Sequence, residues 1–201
     1  MKRFALLCAL GFVVCSSALV AQPTGCTPVA PGVVDGTFEA GSPWPAWTVQ
    51  TSTNFGTPMC DVPGCGTGGG ASPPFAGAFW AWFGGIPAVE SATMGQNVTI
   101  PAGGNKFIRF QMRIGTVSSP FTDTLTVRVD GVPQVTYTEP ATAEAAYTLR
   151  YVDVSSFANG AAHALLFSYV GPTTGTGSFT VDDVELVTCT TPVELLQFSV
   201  E

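Results

Sequence analysis

Ser178-Phe179-Thr180-Val181-Asp182-Asp183-Val184-Glu185-Leu186-Val187 carries the alternation of a β-strand with one fault in it. Its apolar residues fall at odd positions up to Val181 and at even positions from Val184, so the period of two breaks at the paired aspartates, as a β-bulge requires. Bulges at strand rims re-aim side chains, and a second acidic stretch, Asp35-Gly36-Thr37-Phe38-Glu39, stands near the other end of the chain to meet them. Two acidic segments brought together point to a hard-cation site, since calcium binds through roughly six to eight oxygen ligands. Solvated carboxylates on a sheet surface are the plain alternative.

Working outward, the segments before this strand read the same way. Lys106 to Ile114 places Ile108, Phe110, Met112 and Ile114 on one face and Phe107, Arg109, Gln111 and Arg113 on the other. Leu125 to Val135 reads as a hairpin turning at Asp130-Gly131, with Leu125, Val127 and Val129 facing the core. Further strands are expected at Gly32 to Glu39, Trp47 to Gln50, Ala78 to Phe83, Ala92 to Ile100, Tyr147 to Val154 and His163 to Val170. Between Thr51 and Ala76 the chain is rich in Gly and Pro and has no period, which in a compact domain marks a functional or disordered loop; the cysteine pair inside it favours an ordered one. No stretch has the length and period of a stable helix. Many short Val-, Thr- and Phe-rich strands parted by Gly and Pro define an all-β sandwich.

The chain opens with Met1-Lys2-Arg3, an apolar run from Phe4 to Val14, and a small-residue zone ending at Ala21, the three parts of a secretory signal peptide over residues 1–21. Past that leader no apolar run approaches the roughly 20 residues of a membrane helix, so no membrane insertion is expected. Removing Lys2 and Arg3 with the leader takes the formal net charge from −7 to −9. Binding to nucleic acid or anionic membranes needs clustered Lys and Arg, whereas Lys106, Arg109, Arg113, Arg128 and Arg150 are scattered. What remains suits one domain, residues 26–189, with a tail at 190–201.

Cys26, Cys60, Cys65 and Cys189 stay in the exported chain, and an even count there reads as disulfides. Three pairings can be written. A local Cys60–Cys65 bridge around Asp61-Val62-Pro63-Gly64 and a terminal Cys26–Cys189 bridge are favoured. On the chain-entropy model they contribute about 2 and about 5 kcal/mol, upper figures because strain subtracts.

Together, Asp-Gly-x-Phe-Glu (Asp35 to Glu39), Ala-Trp-Phe-Gly-Gly (Ala81 to Gly85), Gln-x-Val-x-Ile-Pro-Ala-Gly (Gln96 to Gly103), Val-Asp-Gly (Val129 to Gly131) and Val-Asp-Asp-Val-x-Leu (Val181 to Leu186) resemble the galactose-binding-like jelly rolls. These are β-sandwiches of two antiparallel sheets found as carbohydrate-binding modules and accessory domains of secreted bacterial proteins. The resemblance implies a structural calcium ion held by Glu39 and by Asp182 or Asp183, with Asp35 a possible helper, and modules without chemistry of their own.

Trp44 and Trp80 are the residues expected to offer sugar-stacking faces, Trp44 because it lies between prolines in a loop; Trp82 is expected to pack inside. His163 has no serine elbow to serve, and Glu39, Glu90, Asp123, Glu139 and Glu144 lie in contexts that read as turns and edges, so no catalysis is expected. The expected protein is a secreted, extracellular binding module for a polysaccharide or glycoprotein glycan. A structural or adhesive cell-surface domain without a small-molecule ligand is the alternative. The tail, Pro192-Val193-Glu194-Leu195 to Phe198, resembles the segment that follows such domains and is expected to dock a partner.

Overall fold

The structure is a computed structural model that describes residues 22–66 and 73–190. The expected leader lies outside the described residues, as does all of the expected docking tail but Thr190. Eleven strands run β1 Thr24–Pro28, β2 Val49–Ser52, β3 Met59–Asp61, β4 Phe79–Gly84, β5 Glu90–Thr99, β6 Asn105–Thr116, β7 Thr124–Val129, β8 Val132–Thr138, β9 Thr148–Asp153, β10 Ala162–Gly171 and β11 Ser178–Thr190. Among the described residues the only helical turns are Val62–Cys65 and Ser155–Phe157. One antiparallel sheet has the order β3-β4-β11-β6-β9 with β1 also on β11; the other has β2-β5-β10-β7-β8. Two such sheets packed face to face make the jelly-roll β-sandwich that the sequence motifs imply.

The alternation dictates the core. Ile108, Phe110 and Met112 of β6, Leu125, Val127 and Val129 of β7, and Leu165, Phe167 and Tyr169 of β10 all point inward and are buried. The ring of Phe110 meets that of Phe167 edge-on at 5.1 Å, so the two sheets are joined by aromatic contacts at the centre. Asp130 and Gly131 both take positive φ, 50° and 78°, the backbone that a two-residue hairpin turn between right-twisted strands demands.

β11 has its bulge where the alternation breaks. Its pairing with β6 shifts register between Asp182 and Glu185, and Asp183 sits at φ 50°. Val181 before the bulge and Val184 and Leu186 after it all reach the core, which one unbroken pleat could not achieve.

One expectation is corrected at the start of the chain. Residues 32–39 form turns, not a strand: Asp35 and Phe38 adopt φ 50° and 62°, and each turn is closed by the next amide, Phe38 N–H donating to the Asp35 carbonyl. The strand near the N-terminus is β1, which lies on β11 with Cys26 bridged to Cys189. Cys60 is bridged to Cys65, closing the short loop after β3. The last strand is thereby fastened to the first by a covalent bond as well as by hydrogen bonds.

Candidate binding site

The aperiodic stretch after β2 builds a cavity. Ser52 and Gly56 exchange backbone hydrogen bonds to form a tight turn bearing Phe55, whose ring is 57 % exposed. Thr57 then leads into β3, and Asp61 caps the helical turn after it by accepting from Gly64 N–H at 2.6 Å. With the end of β4 these segments enclose about 540 Å³, within the range of small-molecule sites. Trp44, Phe55, Met59, Trp82 and Ile86 supply its apolar wall, beside the Cys60–Cys65 bridge. Ser42, Thr57 and Asp61 supply the polar groups, and among the described residues no Lys, Arg or His lines it.

The tryptophans do not divide as the sequence implies. Trp80 has no exposed surface at all, so it offers no stacking face; strand pairing turns it to the sheet side opposite Ala81 and Phe83, and that side is covered too. Trp44 is 8 % exposed, its ring packed edge-on against Phe79, and it forms part of the cavity wall, not a free platform. Its indole N–H is buried and has no partner in the protein. Trp82, expected inside, is half-buried at the cavity, with its indole N–H donating to Ser178 Oγ at 2.8 Å. Gly85 closes on that indole: at φ 82° it lies so near that a Cβ would stand 2.8 Å from the ring, so only glycine lets the chain follow it. Phe55, Met59 and Ile86 had no individual signal in the sequence. The length and poverty of period of the 51–76 stretch, together with its cysteine pair, were the signal that it carries a site.

The two acidic segments do meet. Val184 N–H donates to the Gly36 carbonyl at 2.9 Å, and a Cβ at Gly36 would fall 1.8 Å from the Val184 carbonyl oxygen. Glu39 is exposed, and its Oε1 accepts from the amides of Ala78 and Phe79, both at 2.9 Å. Burial pushes the Asp183 carboxyl up, the negative charges of Glu185 and Glu39 push the same way, and Arg109 opposes them. Asp35 Oδ1 accepts from Ala40 N–H, while its Oδ2 is buried without a partner.

Asp182 is engaged by backbone amides. It is fully buried, its Oδ1 accepts from Asp183 N–H at 2.8 Å, and its Oδ2 accepts from Phe75 and Ala76 N–H at 2.9 and 3.2 Å. The carboxylate holds the 73–76 segment against the outer face of the sheet, where Tyr147 also takes part by donating its hydroxyl to the Pro73 carbonyl. Among the described residues no three His, Cys, Asp or Glu side chains are grouped to hold an ion, so a cation near Glu39 and Asp183 would draw on main-chain carbonyls as well.

The remaining acids and the histidine are accounted for differently. His163 is engaged at both ring nitrogens, with Asp130 at 2.6 Å and Asn159 at 3.0 Å. Glu144 pairs with Arg150. Glu90, Asp123 and Glu139 lie not on turns and edges open to water, as the sequence implies, but 1, 2 and 5 % exposed around the Tyr169 hydroxyl.

No family model matches the chain, and no curated protein matches it. Among solved structures it is similar to the carbohydrate-binding module TmCBM61, seen in complex with β-1,4-galactotriose, at 16 % identity and TM-score 0.49 over 76 % of this chain and 94 % of that one. It is similar to the K3 cleaved adhesin domain of Lys-gingipain from Porphyromonas gingivalis at 15 % identity and TM-score 0.49, over 81 % of this chain and 99 % of that one. A family 16 carbohydrate-binding module follows at 17 % identity and TM-score 0.45, over 77 % and 97 %.

Proposed function

We propose that this chain is an exported, non-catalytic binding module that takes a neutral glycan in the cavity between the Ser52–Gly56 turn, β3 and the end of β4. The observation that carries the reading is the cavity wall: aromatic and apolar surface from Trp44, Phe55 and Trp82 with a few hydroxyls beside it. A sugar ring presents the complementary arrangement, an apolar face and a rim of hydroxyls. Asp61 is the only charged residue in the lining among the described residues, and the whole chain is acidic, so an anionic glycan would be repelled. Export is supported by the leader-like N-terminus and by two disulfides, which persist in oxidising compartments.

The test is affinity retardation on gels containing galactan, xylan, mannan or β-glucan. Retention by one of them, lost in both Phe55→Ala and Trp82→Ala while thermal unfolding of Phe55→Ala stays within about 1–2 °C of wild type, is the expected result. Retention by none of them, or retention that survives both substitutions, overturns the reading in favour of a structural or adhesive domain.

A structural calcium ion belongs to the same proposal, held by Glu39 and Asp183 with carbonyls of the 35–38 turn and not by Asp182. Supporting it are the like charges at Glu39 and Asp183 and the unpartnered Asp35 Oδ2 beside them. Saturating calcium should raise the unfolding midpoint over that in EDTA by about 5–11 °C, the effect of a ligand at roughly a hundred times its dissociation constant. Glu39→Gln with Asp183→Asn should abolish the rise, and Asp182→Asn should leave it.

A further inference from the structure

Glu90, the first residue of β5, is 1 % exposed, and its two carboxyl oxygens are treated unequally. Oε1 accepts from Ser52 Oγ at 2.7 Å; Oε2 is buried with no hydrogen-bond partner. The groups facing it come from β2, β4 and β10 and from the segments before β7 and after β8. Ser52 ends β2, and the Gly84 amide ends β4. Asp123, before β7, accepts from the Tyr169 hydroxyl of β10 at 2.6 Å through Oδ2. Glu139, after β8, accepts from Ser118 N–H at 2.6 Å and from Asp123 N–H at 3.4 Å. Among the described residues none of the three acids is in an ion pair with Lys, Arg or His. Glu90 is buried within the field of the Asp123 charge and has one oxygen unpaired, and both features oppose its ionisation.

That proton has a route to the cavity. The Ser52 hydroxyl that donates to Glu90 accepts from Phe55 N–H at 3.1 Å and Asn54 N–H at 3.3 Å, so it fixes the turn that carries Phe55. Gly84, whose amide bonds to Glu90, lines the same cavity and packs against the Tyr169 phenol so closely that a Cβ would stand 2.4 Å from its oxygen. We infer that Glu90 is a proton switch for the cavity wall, holding the Ser52–Gly56 turn and Phe55 in place through the Ser52 hydroxyl while its carboxylate is ionised and releasing them when it takes a proton. Its consequence for ligand retention rests on the binding reading above; the switch itself does not. Burial, with the charge of Asp123 adding to it, raises the Glu90 carboxyl above the ordinary glutamate value, against the hydrogen bonds from Ser52 and Gly84. Ionisation therefore falls at higher pH than for a free glutamate. Glu90 is a positioning residue, since it does not line the cavity.

Amide signals of Asn54 and Phe55, followed by nuclear magnetic resonance in the full chain from about pH 4.5 to about pH 8, decide the matter. In the wild type they should move through a single transition above the ordinary glutamate range. In Glu90→Gln, which keeps an oxygen for Ser52 and carries no charge, they should stay put. Ser52→Ala, which cuts the relay and leaves Glu90 intact, should also remove the transition. The amides of Phe75 and Ala76 report Asp182 separately. Signals that move alike in wild type and Glu90→Gln, or that do not move in the wild type, overturn the switch. On a polysaccharide gel that retains the protein, wild-type retention should strengthen with rising pH by up to about tenfold per unit, and that of Glu90→Gln should not change. Retention by no gel at either pH overturns the glycan reading, and the amide signals still judge the switch.

Discussion

Asp182 and Glu90 are both carboxylates with almost no exposed surface, neither is in an ion pair among the described residues and burial pushes both up, yet the fold supplies them very differently with hydrogen-bond donors. Asp182 receives three amide hydrogens, two of them from a segment more than a hundred positions away in sequence. Glu90 receives one hydroxyl and the Gly84 amide and keeps an orphan oxygen. A buried carboxylate supplied with donors is a clamp, because removing it would strand amides as well as the acid. A buried carboxylate left short of donors is a group waiting for a proton. The difference lies in the backbone around each. The bulge at Asp183 turns amides toward Asp182, whereas Glu90 faces other acids.

The comparison breaks most visibly at the clamp. Asp182→Ala leaves the Phe75, Ala76 and Asp183 amides without their acceptor, at a cost of about 3 kcal/mol or more, so the unfolding midpoint should fall by about 6–12 °C. Limited proteolysis should then cut near 73–78, where the intact protein resists. The acid also sets a pH dependence. Burial pushes Asp182 up to about 7, against the hydrogen bonds from Ala76, Asp183 and Phe75. A folded value above the unfolded one means that the folded state binds more protons between the two, so stability declines as pH rises from about 4 through 7. Asp182→Asn, which cannot titrate, should flatten that part of the profile in thermal melts across the range. A profile unchanged by the substitution would show that the three amides keep the carboxylate ionised throughout.

Sequence reading reached the bulge but not the clamp, and the reason is physical. Alternation is a local property, so the phase change between Val181 and Val184 is visible in ten residues, and the core faces of β6, β7 and β10 are equally plain. Which partner an acid meets is decided by register and by loops. Phe75 and Ala76 sit in a stretch with no period, and nothing in their identity points at Asp182. The same holds for the tryptophans: alternation put Trp80 and Trp82 on one face, but what covers Trp80 and leaves Trp82 at a cavity is loop placement. Turns defeated the reading at 32–39 because Val33-Val34 and Thr37-Phe38 have strand composition, while the positive φ values of Asp35 and Phe38 belong to the fold.

Tyr169 separates the two acids from the other side. Its hydroxyl donates to Asp123 and lies near Glu90 and Glu139, and burial first, then these acids, holds it far above the ordinary phenol value. Tyr169→Phe would remove a donor and leave the Asp123 carboxylate with an unsatisfied oxygen in a buried site, costing about 1–3 kcal/mol, or about 2–10 °C in midpoint. Thermal melts of Tyr169→Phe read the loss directly. A midpoint equal to that of wild type would mean that the phenol serves only to fill space beneath Gly84.

The smallest effect has the opposite sign. Glu90→Gln replaces a buried acid that lacks donors with a neutral side chain of the same shape, so above the ordinary glutamate range it should stabilise where nearly every other buried substitution destabilises. A gain of about 1 kcal/mol, or about 2–4 °C at pH 8, is expected, shrinking as pH falls toward the range in which the folded protein holds the Glu90 proton. The contrast with Asp182→Asn is the informative part. The amide nitrogen of an asparagine would have to face backbone N–H groups at 182, so that exchange costs stability, while at 90 the Oε2 position faces no donor among the described residues and can take the new N–H₂. A loss at both positions would place Glu90 among the clamps, and the orphan oxygen would then have to be satisfied by something other than a proton.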